Sequence, residues 1–286
     1  MNMLRKWGAS TSASVPTGRA TKSSVGGDCF AMDETPKIAR LCIQPALKNL
    51  YVGAMLILAI DTALDACAVA VLDTSASDVI AQESQSMKRG HAEALMPLIA
   101  RVMKASGVAF AELGRIVATA GPGSFTGLRV GLSAARGIAL AAGKPVVGVT
   151  TLSAFAAPII GEHSDHPVIS AIDARHDQVY FQVLAGDGSP LIKPKIAPIA
   201  EALDAARFGA PHLVGNAAEI LAGRWPADAP PPVSVVNLPA PDIAWVAWLG
   251  AAVDPDTAPA RPYYLRAPDA KPPRDPLLGT AQPFPS

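Results

Sequence analysis

Ile116-Val-Ala-Thr-Ala-Gly-Pro-Gly-Ser-Phe-Thr-Gly-Leu-Arg-Val-Gly131, followed down to Thr150, is the stretch that decides the fold. Ile116–Ala120 is an apolar run of strand length. Gly121-Pro122-Gly123 breaks it, because glycine tolerates positive φ and proline has no N–H for a continuing ladder. Ser124 and Thr126 both suit an N-cap, where a side-chain oxygen satisfies a free helix amide. Gly127 to Ala142 suit a helix, Gly143 a left-handed stop, and Val146–Thr150 the next strand. The stretch therefore reads as a strand–helix–strand unit with a glycine-rich turn at the helix N-terminus.

Free amides and the helix dipole make such a turn a candidate phosphate cradle. The spacing departs from both common versions. A P-loop needs Gly-x-x-x-x-Gly-Lys-Ser/Thr, and here Leu128 follows Gly127 with no lysine nearby. The dinucleotide fingerprint needs Gly-x-Gly-x-x-Gly, whereas Gly121, Gly123 and Gly127 are one residue too far apart. A tight structural turn is the better reading of Gly121, Pro122, Gly123, Ser124, Phe125, Thr126 and Gly127. The helix carries a second signal. Its polar residues Arg129, Ser133 and Arg136 form one narrow stripe, and the rest is apolar or small. A helix lying on a sheet normally exposes a wider polar face, so burial on two sides stands beside tight packing on the sheet alone.

These residues closely resemble the hallmark of the bacterial TsaB (YeaZ) family. Ile57-Leu-Ala-Ile-Asp-Thr62, His91-Ala-Glu93 with Leu95 and Pro97, Ile172-Asp-Ala-Arg175 and Pro262-Tyr-Tyr-Leu-Arg266 resemble the family's other motifs, in order. The resemblance spans about Met55 to Arg266. It implies an α/β, two-lobed actin/Hsp70/sugar-kinase (ASKHA) fold, with a duplicated mixed sheet and flanking helices. It also implies a non-catalytic subunit of the machinery that places N6-threonylcarbamoyladenosine beside the anticodon of tRNA. The partner would be the catalytic paralogue TsaD, with the ATPase TsaE reached through that complex, a homodimer open, and tRNA touched only indirectly. The partner surface would lie on two helices, at His91, Glu93, Leu95, Leu98, Arg129, Gly131, Ala134, Ala135 and Ile138.

Composition agrees with a globular domain and with a protein partner. Half the residues are hydrophobic and 17% are charged, which excludes global disorder. The formal charge is zero with no basic run, which favours a protein surface over a direct grip on RNA phosphates. Cys29, Cys42 and Cys67 are odd in number and far apart, giving neither a disulfide framework nor a zinc motif; this fits a cytoplasmic protein. No apolar run reaches the length of a membrane span.

Residues 1–54 lack periodicity and carry bases without acids up to Gly27, so they read as a misassigned start or disordered leader, with a transit peptide the lesser alternative. Met55–Asp61, Ala66–Asp73 and Val79–Ser86 read as strands. His91–Ser106 is helical, with Pro97 expected to delay its start or kink it. A helix from Thr151 to about Ile160 and a polar turn at 161–167 end a first lobe, 55–162. The second lobe, 163–253, opens as the first did: Asp173 stands 112 residues after Asp61, as Asp177 does after Asp65, and an alternating strand follows each. That suggests an internal duplication. Leu191–Ile196, His212–Val214 and Val233–Val236 are expected strands, and Pro198–Phe208 and Asn216–Ala222 helices. Asp242 is the expected cap of a last helix, Ile243–Ala252. From 254 to 286 nine of 33 residues are proline, a tail whose near end Tyr263-Tyr264-Leu265 can dock.

The parts of an enzyme are hard to find. The resemblance implies that the catalytic relative holds a metal with His-x-x-x-His, and here Leu95 stands four residues after His91. His163, His166 and His176 sit in polar loops, and turn chemistry suits Asp173, His176 and Asp177 better than a metal cluster. The hairpin loops at Asp61, Thr62 and at Asp173, Arg175 contain no glycine, which hinders close approach of backbone to phosphate. No catalytic residue, metal or cofactor is therefore expected. The alternative is an ATP-using or hydrolytic enzyme of the same fold, like the M22 peptidases.

Overall fold

The computed structural model describes residues 54–160 and 165–266. The expected leader (save Ala54), the far end of the tail, Cys29, Cys42 and His163 lie outside the described residues.

Two five-stranded sheets carry the fold. In the first, β1 (Leu56–Asp61), β2 (Ala66–Asp73) and β3 (Asp78–Ser86) form an antiparallel meander. β4 (Arg115–Gly121) and β5 (Val146–Thr150) then add in parallel on the other side of β1. The order is β3-β2-β1-β4-β5. The second sheet repeats this wiring with β6 (Val168–Asp173), β7 (Gln178–Leu184), β8 (Pro190–Pro198), β9 (His212–Val214) and β10 (Ser234–Val236). The duplication suggested by the 112-residue offset is thus real, and it reaches the hydrogen bonds. Ala63 N donates to Asp61 Oδ1 at 2.9 Å, and Arg175 N donates to Asp173 Oδ1 at 2.8 Å, the same Asx turn in both copies.

The first sheet is covered on both faces, which is why β1 and β2 read as continuous apolar runs. Cys67, Val69 and Val71 face α1 (His91–Ser106) and α2 (Phe125–Ala142). Ala59, Ala68 and Ala70 face the other way, and their small size leaves room for Trp245 and Trp248 of α6 (Ile243–Ala252). That helix is apolar all round because it is buried on nearly every side. The expected cap is there: Asp242 Oδ1 accepts from Ala244 N at 2.9 Å.

Between the sheets lies α3 (Thr151–Ala156), whose Leu152, Phe155 and Ala156 pack with Val168, Ile172 and Val214. The outer face of the second sheet is closed by α4 (Ile199–Leu203) and α5 (Ala218–Ala222).

Several boundaries depart from the expectations. α2 starts at Phe125, because Ser124 Oγ accepts from Gly127 N at 3.3 Å and Ser124 is the cap; Thr126 lies inside the helix. α1 starts at His91 in spite of Pro97, which sits on its exposed side. α3 stops at Ala156, and the expected helix Pro198–Phe208 divides into α4 and a 3-10 turn, Asp204–Phe208. The lobes also do not follow chain order. α6, expected in the second lobe, packs on the first sheet, and Arg115 Nη1 donates to its last carbonyls at Gly250 (2.7 Å) and Ala251 (3.2 Å) and to Val253 O (2.7 Å). Beyond α6 the chain returns along the first sheet: Gly148 N donates to Ala258 O at 2.9 Å, and Tyr263 N to Ala120 O at 2.7 Å.

Candidate functional site

The hairpin loop after β1 is the most enclosed polar feature of the first lobe. Asp61 is wholly buried; its Oδ1 accepts from Ala63 N and from Thr119 Oγ1 at 2.5 Å. Its Oδ2 has no hydrogen-bond partner among the described residues. Burial pushes the carboxyl above the usual aspartate range, and the bonds from Thr119 and Ala63 and the nearby His91 only partly offset that. Burial also pushes the Cys67 thiol up to about 11, with Asp61 adding to the effect.

The glycine motif closes over this loop. Thr62 Oγ1 donates to Gly127 O at 2.7 Å, and Ser124 N donates to Ala63 O at 2.7 Å. A Cβ on Gly123 or on Gly127 would drive into a carbonyl of the loop, at Ala63 or Thr62, well inside the 3.0 Å that real Cβ atoms keep. A Cβ on Gly131, one turn further, would meet Thr62 Oγ1. The glycines thus serve contact between α2 and the loop, as the tight-turn reading expected. The Ala63 carbonyl is taken up by this chain's own Ser124 N–H, and the Thr62 carbonyl lies against α2 at Gly127.

His91 stands at the start of α1, mostly buried, with Nε2 donating to Leu64 O at 3.0 Å. Leu95, one turn on, is a core residue that is 1% exposed. Among the described residues no three His, Cys, Asp or Glu side chains gather as a metal ion would need.

The second hairpin is open by contrast. Asp173, Arg175, His176 and Asp177 are exposed, and the last three hold positive φ. That conformation costs a side-chain-bearing residue about 1–2 kcal/mol, and the loop is held by Ile199 N donating to Asp177 O and by an ion pair of Asp177 with Arg224. The expected turn role of these residues is what the geometry supplies. His166 likewise bonds backbone, its Nδ1 lying 3.1 Å from Ala210 O.

The expected partner residues divide. Glu93 and Arg129 are exposed, and Ala134 and Ile138 half-buried. Leu95, Leu98 and Ala135 instead belong to the core beneath the helices, and Gly131 faces Thr62. The correction has a simple cause: both helices must bury one side on the sheet, and these residues are that side. The outward side carries Met96 (54% exposed) and Leu140 (86% exposed), neither singled out from the sequence. For Leu140 the signal was its helical spacing, four residues on from Arg136 of the polar stripe. At its N-terminal end, α2 bears Phe125 stacked on Tyr264 with ring centroids 5.5 Å apart, and the Arg129 guanidinium over Phe125 at 3.8 Å.

Duplicated sheets, each a meander extended by parallel strands, with an Asx-turn hairpin at equivalent places, define a two-lobed actin/Hsp70/sugar-kinase (ASKHA) fold. The family model described as TsaD, tRNA N6-adenosine threonylcarbamoyltransferase, matches residues 78–237. The Escherichia coli protein named tRNA threonylcarbamoyladenosine biosynthesis protein TsaB is 35% identical over 44% of this chain and 54% of its own. An uncharacterised protein of Mycobacterium tuberculosis is 33% identical over 76% of this chain and 94% of its own. The structure of YeaZ from Pseudomonas aeruginosa matches 74% of this chain and 100% of that chain, with a TM-score of 0.60 and 26% identity. The chain belongs to the TsaB (YeaZ) branch of this family. It spans about half the length of the first curated relatives it matches.

Proposed function

We propose that this chain is a non-catalytic subunit that docks on TsaD through the outward side of α1 and α2. In that role it supports threonylcarbamoyl transfer to the tRNA adenosine beside the anticodon. One observation carries the reading: between its charged residues, the outward side of the helix pair exposes apolar and small side chains. Ala92, Met96 and Ala100 follow one another at intervals of four on α1, and Gly137, Leu140 and Ala141 are exposed on α2. Small residues let a second helix pair approach closely, and covering a leucine as exposed as Leu140 is worth up to about 2 kcal/mol. The filled hairpin loop and the core leucine at position 95 support the absence of catalysis by this chain alone. Family membership supports TsaD as the partner. TsaE would join through the TsaB–TsaD complex, tRNA would be held mainly by TsaD, and a homodimer would use the same helix face when TsaD is absent. The setting would be the cytoplasm; among the described residues no helix is long and apolar enough to cross a membrane.

The test is to mix purified protein with its cognate TsaD and measure complex mass by light scattering and affinity by calorimetry. Leu140→Glu would place an unpaired charge in the interface and should weaken binding about ten-fold or more. Leu191→Ser, on the edge of the second sheet, should leave binding unchanged. Wild-type affinity in a folded Leu140→Glu and a folded Met96→Glu would place the interface elsewhere. The competing reading, an ATP-using enzyme, draws on common ancestry with the transferase. Metal-dependent ATP turnover that co-purifies with the chain and disappears in Asp61→Ala would establish it instead.

A further inference from the structure

The returning segment after α6 links the two lobes at one particular place. Ala258–Ala260 lies along the free edge of β5, where Gly148 N donates to Ala258 O at 2.9 Å and Val147 forms a bridge with Pro259. β5 is built to receive it. A Cβ on Gly148 would stand 3.0 Å from Pro259 O and 3.3 Å from Ala260 Cα, so glycine inside this strand marks a close backbone approach. Ala260 is itself buried, 6% exposed. Further on, Tyr263 N donates to Ala120 O at the end of β4, and Tyr264 stacks on Phe125, whose ring the Arg129 guanidinium also contacts. Arg129 Nε lies 3.4 Å from Tyr264 Oη. The segment then reaches the other lobe, where Arg266 Nη1 donates to Ala174 O at 3.5 Å, in the hairpin loop after β6.

Ala120 is the penultimate residue of β4 and Ala174 follows β6, so the segment runs between the carboxyl ends of inner strands of the two sheets. In open α/β sheets, ligands bind in the crevice outside that end. We infer that Ala258–Arg266 is an inter-lobe latch that holds the two lobes at one degree of closure. The Phe125–Arg129–Tyr264 stack is its catch on the first lobe, and the Arg266–Ala174 hydrogen bond is its catch on the second. Its removal frees the lobes to open about α3 without unfolding either sheet, because the latch contributes one buried residue to the core and otherwise lies at the surface.

The full chain, with Cys29 and Cys42 replaced by serine, is spin-labelled at Lys104→Cys in α1 and Lys193→Cys in β8, and the inter-lobe distance distribution is measured by pulsed electron resonance. Arg266→Ala is expected to broaden that distribution. Tyr264→Ala is expected to broaden it and also to speed exchange of the Tyr263 amide about ten-fold, the scale of a lost aromatic pair. Thermal unfolding checks that both variants remain folded. Distributions as narrow as the wild type's in both variants would overturn the latch. Faster exchange in Tyr264→Ala with no change in distance would overturn it too, since the segment would then be anchored locally without holding the lobes.

Discussion

Replacing Gly127 by alanine tests why the motif is glycine-rich. In an isolated helix the change should help, since alanine is favoured over glycine by about 1 kcal/mol in a helix interior. In the folded chain the added methyl would meet the Thr62 carbonyl far inside 3.0 Å, and that oxygen belongs to a buried loop backbone. Ordinary carbon contacts need about 3.5–4.0 Å, so helix and loop would have to part by about 1 Å or more. Overpacking of this kind costs about 1–3 kcal/mol, and separation also strains the buried Thr62 Oγ1–Gly127 O bond, worth about 1 kcal/mol net. Set against the propensity gain, the balance is a loss of about 1–3 kcal/mol, which lowers the melting temperature by roughly 2–12 °C in a domain of this size. Gly137 in the same helix is the internal control. A Cβ there meets nothing within 4 Å, so Gly137→Ala should stabilise by about 0.4–1 kcal/mol. Paired urea and thermal melts decide the matter. A Gly127→Ala protein as stable as Gly137→Ala would refute the close-packing account of the motif and reopen the phosphate-cradle reading.

Other expectations follow from single residues. Asp61 has a folded pKa raised above its unfolded value by burial, so its burial penalty is absent below the ordinary aspartate range and develops as pH rises through the folded pKa. Asp61→Asn should therefore match or exceed the wild type in stability at pH 7 and lose that advantage in acid, as denaturant melts against pH will read. Arg115→Met removes the donor to three carbonyls at and just beyond the end of α6 and should cost about 2–3 kcal/mol, seen as a lower urea midpoint. Cys67, held protonated at pH 8 by its raised pKa and shielded within the first sheet's core, should resist maleimide in the folded chain and react once unfolded; peptide mapping gives the answer.

The strand–helix–strand unit, the helix His91–Ser106 and the capped Ile243–Ala252 were legible in the sequence because each rests on local physics. Apolar period, a cap residue and a stop glycine act within a few residues of one another. The duplication was legible because Asp61 and Asp173 carry the same short-range Asx turn. Tertiary structure decided what the locally similar residues face. Gly131 and Gly137 are alike in sequence, yet one abuts Thr62 and the other faces open space. Leu95 and Leu140 both belong to amphipathic helices, and only the sheet beneath them makes one core and the other surface. The placing of α6 on the first sheet and of Tyr263–Arg266 across the lobes depends on pairings some ninety or more residues apart. No local pattern encodes such pairings: they follow from which sheet face lacked a cover and which strand edge lacked a partner.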